Sequence, residues 1–214
     1  MFNVKVAPTL AQDVKLISYD AFTDHRGFFT EPYRKSDLFE KTNISGLKNK
    51  QVVQINESFS VKHTVRGLHF QYDPYQHKFS RPVIGHIIAL AVDVRKNSPT
   101  FSLAYMFELK SSLKDTSFQW LYLPPGYAYG FLTLEDSLIQ YLLTGEYNQQ
   151  GEVSICPLAE DINWSKADND LKSVYIKLAK VTKNISEKDK NSINLTDWSH
   201  DSRIKYFTHG NIKA

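Results

Sequence analysis

The 214-residue chain is poor in cysteine, in long apolar runs and in excess charge of either sign, and each shortage excludes something. It has one cysteine, Cys156, so no disulfide can close within it and no cysteine-based zinc site can form. That usage suits a reducing compartment. No stretch approaches the ~20 apolar residues of a membrane-spanning helix. The opening residues, Met1-Phe2-Asn3-Val4-Lys5-Val6, are not a charged leader followed by an apolar run. We therefore expect a soluble, cytoplasmic protein with no membrane partner. The 26 Lys and Arg against 23 Asp and Glu leave a net charge of only +3. Such a balance gives no reason to expect a nucleic-acid partner, although a local cationic pocket for a phosphate remains open. There is also no internal repeat and no low-complexity tract.

What the chain does have is aromatic bulk, with 12 Tyr and 13 Phe, which suits β structure and stacking pockets. The length fits one domain. Short alternating or apolar runs recur at 14–18, 51–60, 65–71, 83–94, 101–109, 120–123, 131–134 and 137–143, with turn residues such as Pro124-Pro125-Gly126 between them. Many short strands punctuated by turns predict an all-β sandwich or barrel over residues 1–164. A short helix is expected at 36–42, with Ser36 as its N-cap and Leu38 and Phe39 inward. After Trp164 the pattern changes. Leu171, Val174, Tyr175 and Leu178 recur at helical spacing within 168–181, followed by a polar loop at 184–194 and an aromatic tail with Trp198, Tyr206 and Phe207. Residues 165–214 are read as a helix, loop and tail packing on the barrel as part of the same domain.

The string Arg66-Gly67-Leu68-His69-Phe70-Gln71 holds the most informative histidine. Strand alternation puts Arg66, Leu68 and Phe70 on one face and Gly67, His69 and Gln71 on the other. His69 is then either a satisfied core group or a proton-transfer group. A metal role is disfavoured by missing ligands. A barrel of the cupin kind usually carries a His-x-His pair and a late histidine after a Pro-x-Gly turn. This chain has neither, since Tyr127-Ala128-Tyr129 follows Pro125-Gly126. Metal-free removal of a proton beside a carbonyl needs a base near neutrality, a cation for the enolate oxygen and an acid on the opposite face. His69, Lys78 and Tyr141 are candidates, but twelve tyrosines leave the acid open on composition alone. His63 and His77, which flank the string, are read as surface residues. Trp164 and Phe131 are read as core.

A longer series of motifs narrows the choice. In order these are Phe22-x-Asp24-x-Arg26-Gly27-Phe28-Phe29-x-Glu31, Gln54-x-Asn56-x-Ser58, the Arg66–Gln71 string and Gln76-x-Lys78. They continue with Ala91-Val92-Asp93-Val94-Arg95, Ser98-Pro99-Thr100-Phe101 and Pro125-Gly126-x-Ala128-x-Gly130-Phe131, and then Tyr141. The chain so read resembles the dTDP-4-dehydrorhamnose 3,5-epimerases, which act on nucleotide-linked 4-keto-6-deoxy sugars. The resemblance implies a cupin-like jelly-roll β-barrel that uses no metal or other cofactor and forms a homodimer by exchanging N-terminal strands. It implies His69 as catalytic base, Tyr141 as catalytic acid and Lys78 near the sugar keto oxygen. It places Arg26, Phe29, Glu31, Gln54, Asn56 and Arg66 in the nucleotide and diphosphate pocket, some of them reaching across the dimer. Tyr147 and Glu152 fall where the base is contacted, and Tyr129 and Lys188 are expected at the substrate. The family pairs its base with an aspartate in a C-terminal Leu-Ser-x-Lys-Asp string, matched here by Ile185-Ser186-Glu187-Lys188-Asp189. Asp189 is the expected partner of His69 despite a lengthened gap after Trp164, with Asp161 and Asp170 as fallbacks.

Two departures fall on strands expected to face the pocket. Tyr129 stands where the family has a histidine, and Ala89-Leu90-Ala91-Val92-Asp93 replaces Asp-Val-Ala-Val-Asp. Both bear on which sugar fits and on whether C3, C5 or both are inverted. The alternatives are an epimerase of one centre, a GDP-, CDP- or heptose-linked substrate, and a non-catalytic barrel that binds a sugar nucleotide.

Overall fold

Antiparallel strands are the main regular structure of residues 4–212, which are those described by the computed structural model. The strands are β1 (Lys5–Pro8), β2 (Lys15–Asp20), β3 (Phe22–Asp24), β4 (Gly27–Phe29), β5 (Gln54–Ser60), β6 (Val65–Gln71), β7 (Lys78–Asp93), β8 (Ala104–Ser111), β9 (Ser117–Leu123), β10 (Tyr127–Thr133), β11 (Ser137–Leu143) and β12 (Glu152–Ser154). One layer runs β1-β2-β9-β7-β11-β5, and the other runs β8-β7-β10-β6-β12. The two share β7. Its first part pairs with β9 and β11, and from Gly85 onward it pairs with β8 and β10. This is the barrel expected from the strand pattern, in the jelly-roll form that the resemblance implies.

The crossing of β7 between layers depends on a bulge. Leu138 lies opposite Ile84 but Ile139 lies opposite Pro82, so one residue of β7 is left unmatched. Gly85 follows at φ +113°, pressed against Ser137, where a β-carbon would collide with the serine side chain. The bulge reverses the parity of the strand. Before it, Lys78 and Ser80 point inward while Phe79 joins the outer core. After it, Ile87, Ala89 and Ala91 point inward while Ile88, Leu90 and Val92 point outward. The apolar run is therefore buried on both faces, with small alanines where the layers face each other.

Three apolar clusters result. Between the layers lie Ile87, Ala89, Ala91, Leu121, Leu123, Phe131 and Ile139. Outside the first layer, Phe79, Trp120 and Tyr122 are covered by Leu38 and Phe39 from a wide helical turn at Ser36–Lys41. Its cap position is Lys35, which makes no side-chain capping bond, so Ser36 is not the N-cap. Outside the second layer, Leu68, Phe70, Leu90 and Val92 are covered by the C-terminal segment through Tyr175, Trp198 and Phe207. That segment holds α1 (Asn169–Val181), α2 (Glu187–Lys190) and α3 (Leu195–His200). Helix α1 starts where its spacing predicts, and Asp168 accepts the amides of Asp170 and Leu171. The polar stretch read as a loop contains α2, capped by the Ser186 hydroxyl.

Two further corrections concern motif residues. His77 is buried, at 3% exposure, rather than at the surface. It is packed under Gly46 and bonded through Nδ1 to the Tyr122 hydroxyl at 2.8 Å. Burial, helped by the Lys50 charge, pushes its imidazole down to about 4. Ala89 lies in the closed core between the layers, not on the cavity wall. The motif around Asp93 is also structural. Its buried carboxylate accepts hydrogen bonds from the Arg95 guanidinium and from the Ser98 and Thr100 hydroxyls, which satisfies a charge the interior would otherwise penalise.

Candidate active site

A cavity of about 950 Å³ opens between the layers, walled by β5 and β11 of the first, β6 and β10 of the second, and the residues before and within α2. Its shape is set where β6 meets β10. Tyr129 pairs with His69 but Phe131 pairs with Arg66, so β6 also carries a bulge. Gly67 sits there at φ +104°, and a β-carbon on it would lie 2.6 Å from Gly130 Cα and from the Tyr129 carbonyl oxygen. The bulge breaks the simple alternation. Arg66 joins His69 on the cavity side, while Leu68 and Phe70 remain in the outer core.

His69 Nε2 and Asp189 Oδ1 are 2.7 Å apart. Asp189 is positioned by the start of α2, where its amide donates to Ser186 Oγ at 3.1 Å, and its Oδ2 takes the Gly67 amide at 3.4 Å. Burial alone would raise the Asp189 carboxyl. The His69 hydrogen bond and charge, with the Gly67 amide and Ser186, outweigh that and hold it below the usual carboxylate range. The lengthened link through α1 thus still delivers Asp189 to the histidine. Asp161 instead accepts the amides of Leu195 and Thr196, and Asp170 lies at the start of α1.

Lys78 enters from the start of β7. Its ammonium lies 5.4 Å from the centre of the Tyr129 ring, and enclosure by the wall pushes it down to about 8, partly opposed by the Glu152 charge. Tyr141, from β11, completes the set. Burial raises its phenol to about 12, against the nearby Ser58 hydroxyl and the Arg66 charge. Tyr129 stands edge-on to Tyr141 with ring centres 6.1 Å apart, and its hydroxyl shares a 2.6 Å hydrogen bond with Ser80. Burial, with the Tyr141 charge, lifts its phenol well above the ordinary value. Neither phenol ionises near neutrality, so both are proton donors rather than bases. His69, Lys78 and Tyr141 therefore offer a ring nitrogen, a cation and an acid to one space.

The remaining expected site residues divide. Arg66, Asn56, Tyr147, Glu152 and Lys188 line the cavity. Gln54 lies at its edge, donating to Asn56 Oδ1 at 2.8 Å and accepting the Tyr147 amide at 2.7 Å. Arg26, Phe29 and Glu31 do not line it. They belong to or follow the β3–β4 hairpin, where the Arg26 side chain is 79% exposed and paired with Asp24, Phe29 is exposed, and Glu31 pairs with Arg34. Ser80, Lys183 and Asn184 are contributors not singled out in the sequence. Ser80 could have been found, since it lies two residues after Lys78 on the same face of β7. Among the described residues, no group of three or more His, Cys, Asp or Glu is arranged to hold a metal ion. No helix among them is long and apolar enough to cross a membrane.

Comparison with known proteins bears on this geometry. The family model described as dTDP-4-dehydrorhamnose 3,5-epimerase matches residues 8–197. A Shigella flexneri dTDP-4-dehydrorhamnose 3,5-epimerase is 34% identical over 162 residues, covering 75% of this chain and 85% of the relative. The Neisseria gonorrhoeae protein of that name is 38% identical over 148 residues; the match covers 69% of this chain but only 42% of that longer protein. Among solved structures, the Legionella pneumophila dTDP-6-deoxy-D-glucose-3,5-epimerase in complex with dTDP-4-keto-L-rhamnose superposes with a TM-score of 0.74. It is 25% identical, with 94% of this chain and 97% of that one covered.

Proposed function

The chain belongs to the dTDP-4-dehydrorhamnose 3,5-epimerase family, and from that membership we propose that it inverts C3, C5 or both of a dTDP-linked 4-keto-6-deoxy sugar through an enolate. The observation that carries the mechanism is the contact of His69 with Asp189, facing the same cavity as Lys78 and Tyr141. The 4-keto group acidifies the protons on both neighbouring carbons. Asp189 fixes the tautomer of His69, leaving Nδ1 to take one of them. Lys78 holds the enolate oxygen while charge develops there. Tyr141, kept protonated by burial, returns a proton to the opposite face. Arg66 offers a guanidinium fork to the diphosphate. Asn56, Gln54, Tyr147 and Lys188 surround the nucleotide, Glu152 lies between them and His69, and Tyr129 narrows the space at the sugar.

The same reading gives the exposed hairpin a place. In a homodimer with exchanged N-terminal strands, Arg26, Phe29 and Glu31 of a second copy complete the cavity of the first. The test is proton NMR of dTDP-4-keto-6-deoxyglucose incubated with the protein in D₂O. Deuterium at C3, C5 or both, with the matching change of configuration, is the expected outcome, and the count of exchanged carbons separates one inversion from two. GDP- and CDP-linked analogues run in parallel identify the nucleotide. Tight dTDP binding with no exchange at either carbon would instead support a non-catalytic barrel.

A further inference from the structure

The two ring nitrogens of His69 meet different surroundings. Nε2 is closed off by Asp189 at 2.7 Å, and Asp189 is itself only 4% exposed. Nδ1 faces Glu152, whose Oε1 lies 4.0 Å away. Backbone register fixes this neighbour. Ser154 lies opposite His69 and Glu152 opposite Gln71, so Glu152 and His69 are diagonal neighbours on one face of the β6–β12 pair. Beyond Glu152 the row continues outward. Its Oε2 meets Lys188 Nζ at 2.5 Å and the Tyr147 hydroxyl at 3.5 Å. The Glu152 side chain is 14% exposed and that of Lys188 is 56% exposed. The histidine thus has a sealed side and a side that leads to solvent through a carboxylate.

We propose that Glu152 is the relay by which the proton captured by His69 leaves for water. The proposal rests on the epimerase reading above. In the first step the C–H bond beside the keto group breaks. Its electron pair passes to the enolate, and its proton passes to Nδ1 to give an imidazolium. Tyr141 donates its own proton to the other face of the carbon, and the phenolate then regains one from water. His69 must also be reset. The Nδ1 proton moves to the Glu152 carboxylate, giving neutral imidazole and a carboxylic acid, and the acid releases it to water at the Lys188 end. A small side-chain rotation or one bridging water spans the 4.0 Å. Asp189 cannot do this, because its oxygens already serve Nε2 and the Gly67 amide.

The test uses the full chain with dTDP-4-keto-6-deoxyglucose. Glu152→Gln lowers kcat by about tenfold or more, within the ~10²–10⁴-fold range of proton-transfer groups, and KM changes less. Glu152→Ala leaves room for a small carboxylate, so its kcat rises in proportion to added formate, whereas neither the wild type nor His69→Ala responds. A residue that only holds the wall together gives no formate dependence. The circular-dichroism spectrum and melting temperature of each variant count the folded molecules, so a partly misfolded sample does not imitate the effect. A kcat for Glu152→Gln within about twofold of wild type, or one depressed in both variants and indifferent to formate, overturns the relay while the epimerase reading stands. Absence of exchange at C3 and C5 in the wild type overturns that reading, and the relay with it.

Discussion

Around His69, charged groups are held by residues far away in the chain, whereas in the β3–β4 hairpin they are held only by close neighbours. Asp189 reaches His69 across 120 positions. Arg26 is paired with Asp24 two positions away, and Glu31 with Arg34 three positions away. The first kind of contact exists only when the barrel, α1 and α2 are all in place, so folding itself positions the group. The second kind is an exposed local pair, worth little in stability and readily exchanged for another partner. Two motifs that are equally clear in sequence are therefore built to different standards. His69, Asp189, Lys78 and Tyr141 are brought to one cavity by a single chain. The hairpin presents groups that a second copy can take up.

Four experiments press on this contrast. The largest effect is expected from His69→Ala, which should lower epimerisation by ~10²–10⁴-fold and abolish deuterium wash-in at the carbon it serves. Full exchange in that variant would show that the wall is not where the proton is taken. Next come two glycines that share a positive φ but not their surroundings. A β-carbon on Gly67 would meet Gly130 and Tyr129, while one on Gly27 meets nothing within 4 Å. Thermal unfolding should find Gly67→Ala less stable than Gly27→Ala by about 1–3 kcal/mol, and equal costs would erase the distinction between wall and hairpin.

The third experiment reads charge within the wall. Enclosure depresses Lys78 to about 8, so its ammonium is lost as pH rises through that value, earlier than for an ordinary lysine. The wild-type kcat should fall above about pH 8, by about tenfold at pH 9 for a single group of that pKa. In Lys78→Arg the guanidinium stays charged, and the decline should move beyond pH 9. A decline at the same pH in both proteins would assign it to another group. The smallest effect belongs to Arg26→Ala, expected to raise KM by about tenfold, the scale of one charge-assisted hydrogen bond, with Tm unchanged. In the proposed homodimer, mixing it with His69→Ala should restore sites of wild-type KM, because a mixed dimer retains one cavity with both residues intact. No recovery would place Arg26 outside its neighbour's site.

The strands at 65–71 and 137–143 are legible in the sequence to the residue, and so is an all-β sandwich or barrel. The jelly-roll form and the grouping of Asp189 with His69, Lys78 and Tyr141 come from the family resemblance, and the fold brings those four side chains to one cavity. The side of β6 on which Arg66 lies is not legible. Alternation assumes an unbroken pleat, and the bulge at Gly67 breaks it. His77 was misplaced for a different reason. Its burial comes from the chain around Gly46 folding over it, and no local pattern announces such a cover. Helix α2 was hidden in a polar stretch because only one of its four residues, Asp189, is buried, and a single inward position makes no period.

The bulge before Gly85 has one more consequence. It works as a reading frame in space. Because the parity of β7 changes there, Lys78 and Ala89 both face inward although eleven positions, an odd number, separate them. Removing a single residue from Val83 to Gly85 would preserve the composition of the strand and nearly all its hydrogen-bonding potential. With the second layer held in place, it would exchange Lys78 with Phe79, turning an ammonium into the outer core and a benzyl ring into the cavity. A one-residue deletion at this point should therefore be far more damaging than any substitution at the same positions.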